Sequence, residues 1–127
     1  MVDMIDIHID VGAVSFRKLR SKSSRLDSAA IRADVVKARG VQDNRFGDGK
    51  IMTNVRMSHK QVEKYCVLDS TSEMMLKEAM TEFGLSARAH DKICKVARTI
   101  ADLAGAEQIA SEHIAEAISY RKLDRRL

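Results

Sequence analysis

Arg88 stands in the run Gly84-Leu-Ser-Ala-Arg-Ala-His-Asp-Lys-Ile, two residues after a serine placed to cap a helix. A guanidinium in the first turn lies beside backbone N–H groups that have no intrahelical acceptor, where the macrodipole is positive. A lone cation is mildly disfavoured there, whereas a planar cationic fork helping to hold an external anion is well suited to the place. Two readings stand side by side: a fork for an external anion, and a surface arginine paired with a nearby acid. Further along the same helix, His90 and Cys94 fall at i,i+4 on one face, and His59 with Cys66 would complete a tetrahedral zinc set. The set lacks the short CxxC or HxxxH pairs that make a zinc signature specific. Both thiols are therefore read as small buried hydrophobes, and no metal is assigned. Met74, Met75 and Met80 are read as core filling on the same grounds. The chain contains no GxxxxGK[ST] phosphate loop, GxGxxG, HExxH or GxSxG, so no catalytic residue is assigned.

The elements that position these residues are helices. The 127 residues contain no proline and no tryptophan, aromatics make up 4%, and methionine occurs seven times. A β-sandwich wants β-branched and aromatic residues with frequent turn formers, so this composition argues for an all-α fold. Ser58-His-Lys-Gln61 reads as a capping box with Met57 and Val62 as its hydrophobic staple, and Ser70-Thr-Ser-Glu73 reads as a second box. The latter opens a helix with Leu76, Ala79, Met80 and Phe83 inward, stopped by Gly84. Ser86 caps a long helix with Ala89, Ile93, Val96, Ala97, Ile100 and Ala104 inward, and Gly105 ends it. Its outer face is expected to pair Asp91 with Lys95 and Arg98 with Asp102. A last helix starts near Ile109 and Ser111, carries Ile114, Ala115 and Ile118, and gives way to a basic tail over 121–126.

The first half is plainer. Ile5, Ile7, Ile9 and Val11 alternate with polar residues, which predicts one short strand over 4–11. A lone strand cannot satisfy its own backbone, so its partners are expected outside this sequence. Arg17, Lys18, Arg20, Lys22 and Arg25 then form a basic, serine-laced connector without an acid. A helix follows, capped by Asp27 or Ser28, with Ile31, Val35 and Ala38 as a narrow apolar stripe and an end at Phe46-Gly47. The net charge of +4 permits contact with nucleic acid without demanding it. No apolar run approaches the roughly 20 residues of a membrane span, and two cysteines suit a reducing compartment.

The run from Gly84, then Val96-Ala-Arg-Thr-Ile-Ala-Asp-Leu-Ala-Gly105, and Ile114-Ala-Glu-Ala-Ile-Ser-Tyr-Arg121 together resemble the C-terminal domain of magnesium-chelatase-like AAA+ ATPases, ComM/YifB competence-associated branch. Asp3-Met-Ile-Asp-Ile-His-Ile, Ile31-Arg, Arg45-Phe46 and Asn54-Val-Arg-Met-Ser58 extend the resemblance over nearly the whole chain. It implies an all-α fold, a small helical bundle forming the lid of an ATPase, preceded by an insert helix and one short orphan strand from the ATPase core. It divides the chain into the end of the core and a mobile connector at 1–27, an insert helix and loop at 28–57, and the lid at 58–127. By position in the family motif, Arg88 matches the sensor-2 arginine that reaches the γ-phosphate of bound ATP. The resemblance further implies a cytoplasmic bacterial parent that uses ATP and Mg2+ in a hexameric ring. The partners implied are its own ATPase core and neighbouring subunits, with DNA as a candidate and no membrane. The chain alone is expected to be no enzyme and to need no cofactor. Met4 falls where family members carry an arginine that resembles a trans-acting finger, so that role is given to no residue here. The rival readings are a stand-alone basic helical module that holds DNA phosphates with 17–25 and 121–126, and the lid of a magnesium chelatase subunit.

Overall fold

The computed structural model describes residues 6–7, 27–47 and 53–121, and over these the protein is all-α. Its elements are α1 (Ser28–Phe46), a 3-10 turn (Asn54–Arg56), α2 (His59–Tyr65), α3 (Ser70–Phe83), α4 (Ala87–Leu103) and α5 (Ser111–Ser119). The strand expected over 4–11 and the connector over 17–25 lie outside the described residues, apart from Asp6 and Ile7.

α4 is the axis of the bundle, touching α1, the 3-10 turn, α2 and α5, while α3 packs on α5. Its buried stripe is Ala89, Ile93, Cys94, Ala97 and Ala101, which recur at three and four residues and so share one face. Ala97, Ala101 and Ala117 of α5 are wholly buried, and such small side chains let packed helices approach closely. Ile93 and Ile114 are also fully enclosed, each a burial worth about 1.5–3 kcal/mol. Met57 and Val62 both enter the core beside the Ser58–Gln61 box, where the Gln61 N–H donates to Ser58 Oγ and the Ser58 N–H to Gln61 Oε1. A parallel bridge between Leu68 and Ile109 ties the connections flanking α3 and α4.

Three local expectations are corrected. α3 is capped by Asp69, whose carboxylate accepts from the Ser72 N–H at 2.7 Å; Ser70 is already helical and Ser72 is buried. A carboxylate beats a hydroxyl at this place because its charge also answers the helix dipole, and the same bond holds Asp69 below the usual carboxylate range. Ala104, Ala115 and Met74, expected inward, are exposed: Ala104 follows the last turn of α4, the inward residues of α5 include Ile114 and Ala117, and those of α3 are Ser72, Leu76 and Ala79. On α1 only Ala38 and Gln42 are buried, while Ile31 and Val35 of the expected apolar stripe are exposed.

Asp69→Ala should therefore cost about 1 kcal/mol in chemical denaturation. Ser70→Ala should stay within about 0.5 kcal/mol, and a larger loss at Ser70 than at Asp69 would return the cap to the serine.

Candidate functional site on the long helix

Arg88 lies in the first turn of α4, exposed, just past the Ser86 cap whose Oγ accepts from the Ala89 N–H at 3.1 Å. One turn further, Asp91 accepts from two histidines: His59 Nδ1 at 3.0 Å, reaching across from α2, and His90 Nδ1 at 3.1 Å. Partial burial pushes the Asp91 carboxyl up, but the hydrogen bonds from His59 and His90 outweigh it and leave it below its ordinary value. The same bond raises His59, helped by the charges of Asp91 and of Glu63, whose Oε1 lies 3.0 Å from His59 Nε2. Asp91 is thus taken by histidines rather than by Lys95, which donates instead to the Val55 carbonyl at 3.2 Å.

The other end of α4 holds a buried polar cluster. The Asp102 side chain has no exposure, and Arg45, at the end of α1, grips it with both terminal nitrogens: Nη2 to Oδ1 at 2.6 Å and Nη1 to Oδ2 at 2.9 Å. Arg45 Nη1 also donates to Asn54 Oδ1 at 3.0 Å, and Asn54 Nδ2 donates to Asp102 Oδ2 at 2.9 Å and Thr99 Oγ1 at 3.0 Å. Gln42 of α1 completes the join by accepting from the Asn54 N–H at 3.0 Å. Bidentate pairing fixes orientation as well as distance, so α1, the 3-10 turn and α4 are locked in register. The hydrogen bond to Asp102 raises Arg45 above its ordinary value. Phe46 adds an edge-to-face contact on Tyr65 of α2, with centroids 5.4 Å apart.

Arg98 and Asp102 do pair, but inside the molecule rather than on the outer face. Arg98 Nε lies 3.3 Å from Asp102 Oδ1, at ion-pair distance but off the alignment of a hydrogen bond. Its terminal nitrogens donate to the carbonyls of Ala106 at 3.0 Å and Glu107 at 3.1 Å, which fixes the chain as it leaves α4 past Gly105. Burial lowers Arg98 against the opposing charge of Asp102. Arg121, read from sequence as the start of a basic tail, is buried as well, and residues 122–127 lie outside the described residues.

The zinc set does not assemble. Cys94 Sγ lies 4.0 Å from His90 Nε2, Cys66 Sγ donates to the Cys94 carbonyl at 3.6 Å, and His59 is engaged by Asp91 and Glu63. Burial pushes the Cys66 thiol up to about 11 and the Cys94 thiol up to about 12, the opposite of what a thiolate ligand needs. Among the described residues no three of His, Cys, Asp and Glu group to hold a metal, and no described helix is long and apolar enough to cross a membrane.

Arg88 at one end of α4 and the Asp102 cluster at the other both fall within residues 25–121. Those residues match the family described as magnesium chelatase, subunit ChlI C-terminal. The chain belongs to this family. Competence protein ComM of Haemophilus influenzae is 39% identical over 127 residues, covering 99% of this chain and 24% of that protein. YifB of Salmonella typhimurium, described as an uncharacterized protein, is 45% identical over 74 residues, 58% of this chain and 15% of that protein. YifB of Escherichia coli is 37% identical over 100 residues, 79% and 19% respectively. The chain thus spans a quarter or less of the curated relatives it matches, and it is a C-terminal magnesium-chelatase-like domain of the ComM/YifB type.

Two outcomes follow for this domain. Asp102→Asn should cost about 3–5 kcal/mol, because it leaves buried guanidinium groups facing a neutral partner, whereas exposed Arg88→Ala should stay within about 0.5 kcal/mol. Equal losses in urea unfolding would refute the distinction. The His59–Asp91 contact should also titrate. His59 is raised in the fold, so its contribution is complete below about pH 6.5 and fades as pH rises through the raised value. Asp91 is lowered, so its contribution is present above about pH 3.9 and is lost as pH falls through the lowered value. Asp91→Asn should bring the His59 titration midpoint down in an NMR pH series; an unmoved midpoint would discard the contact.

Proposed function

We propose that this domain is the helical lid of a magnesium-chelatase-like ATPase and that Arg88 is the residue it offers to the phosphates of ATP. The observation that carries the reading is the placement of Arg88 and Asp102 at opposite ends of one helix, about 21 Å apart at 1.5 Å per residue. Arg88 is exposed at the N-terminal end of α4, where the positive end of the helix dipole favours a polyanion. Asp102, at the other end, is locked to α1 by a buried bidentate pair. A straight helix held at its base transmits a displacement of α1 or the bundle to the guanidinium at its tip.

The chemistry fits a charge-stabilising role. ATP with Mg2+ would bring a phosphoryl group whose equatorial oxygens gain charge as it transfers, and a pre-positioned guanidinium lowers the cost of that charge. The sequence has no phosphate loop, so Arg88 supplies one contact to a nucleotide held elsewhere, on its own core or on a neighbouring subunit of a ring. Such a domain hydrolyses nothing by itself. We further propose that the assembled ATPase works in the cytoplasm on DNA, supported by the basic balance of the chain and by the word competence in the name of the Haemophilus relative. Burial of Arg121 takes one cation away from the rival DNA-binding surface.

The test is made in the full-length ATPase. Arg88→Ala should lower the turnover number about a hundredfold, and Arg88→Lys should recover only part of it because an ammonium lacks the fork. Turnover unchanged in Arg88→Ala would overturn the reading. The 127-residue chain titrated with Mg-ATP in a calorimeter should show no sub-micromolar binding, and tight binding would show that the domain holds nucleotide through more than Arg88.

A further inference from the structure

Near the start of the chain, Asp6 touches two residues that lie far away in sequence. Lys92 Nζ donates to Asp6 Oδ1, and Arg121 Nη1 donates to the Asp6 carbonyl at 3.3 Å, across separations of 86 and 115 residues. Lys92 is one helical turn beyond Arg88 on α4. Arg121 follows α5 and is 1% exposed; a guanidinium keeps its charge on burial and must find acceptors, one of which is this carbonyl. Ile7, the neighbour of Asp6, lines a groove of about 180 Å3 with Val55, Val96 and Thr99. Asp6 therefore meets both the α4 shaft and the residue that follows α5.

We propose that Asp6 latches itself and Ile7 to the helix that carries Arg88, through Lys92 and Arg121, so that these two residues and Arg88 move as one body. The side-chain contact supplies register through charge, and the Arg121 contact, made to the main chain, holds the backbone itself. Displacement of Asp6 is thereby mechanically connected to Arg88 through the α4 shaft. The latch rests on this geometry alone; its service to Arg88 rests on the reading of Arg88 given above.

The test is a charge swap. In the 127-residue chain, NMR should show contacts between Ile7 methyl groups and the methyls of Val55 or Val96. Asp6→Lys and Lys92→Asp should each reduce the docked population about fivefold, and the double variant Asp6→Lys/Lys92→Asp should restore it. Absence of the contacts in the natural sequence, or failure of the swap to restore them in a folded double variant, overturns the latch. In the full-length ATPase the single variants should lower turnover and the swap should recover it. Turnover untouched by single variants that lose the contacts overturns the coupling to Arg88. Arg88→Ala keeps the Ile7 contacts in every case, so an unaffected turnover in that variant refutes the phosphate reading and leaves the latch standing.

Discussion

A carboxylate with no exposure to water sits at the base of the long helix, and the arrangement of the other elements follows from how it is satisfied. Removing the Asp102 charge from water carries a penalty of several kcal/mol unless cations and donors replace the lost hydration. Arg45, Arg98 and Asn54 do so, and each belongs to a different part of the chain: the end of α1, the middle of α4, and the 3-10 turn. The electrostatic requirement is thus also a topological one. Such a pair adds little net stability compared with well-packed apolar residues, but it tolerates few alternative geometries, and so it selects one register of α1 against the bundle.

This explains a helix that would otherwise be hard to account for. α1 buries only Ala38 and Gln42 and exposes Ile31, Val35 and Val36, so apolar burial does not hold it in place. Its attachment is concentrated in its last turns, where Gln42, Arg45 and Phe46 meet Asn54, Asp102 and Tyr65. The bundle proper is held differently. Ile93, Ile114 and a set of alanines close its interior by shape, and the caps at Ser58, Asp69 and Ser86 set where its helices begin. A polar joint on a well-packed bundle holds α1 rigidly to the base of α4, the helix that carries Arg88 at its other end.

Much of the bundle was legible in the sequence. Capping residues and helical spacing placed α2 to α5, because those signals are local and each has a stereochemical cause. The resemblance to the chelatase-like family also held, since it rests on long runs of residues around Gly84–Gly105 and the last helix. What escaped was the depth of charged pairs. Arg98 and Asp102 at i,i+4 look the same in sequence whether they face water or the core, and only Arg45, 57 residues from Asp102, decides between these. One signal was present: Gln42 and Arg45 continue the spacing of Ile31, Val35 and Ala38, so the stripe of α1 turns polar where it meets the bundle. Asp69 and Arg121 escaped for related reasons, the first because three hydroxyl residues follow it and the second because its acceptor at Asp6 lies at the other end of the chain.

Joined at Asp102, α1 and α4 form one rigid body. Residual dipolar couplings for the amides of residues 38–46 and 87–103, collected on the chain in solution, test it most directly. A single alignment tensor that fits both helices in the relative orientation of this structure is the expected result. Two tensors of different magnitude, or averaged couplings confined to residues 38–46, would mean that α1 moves independently of α4 and that the Asp102 joint does not fix it.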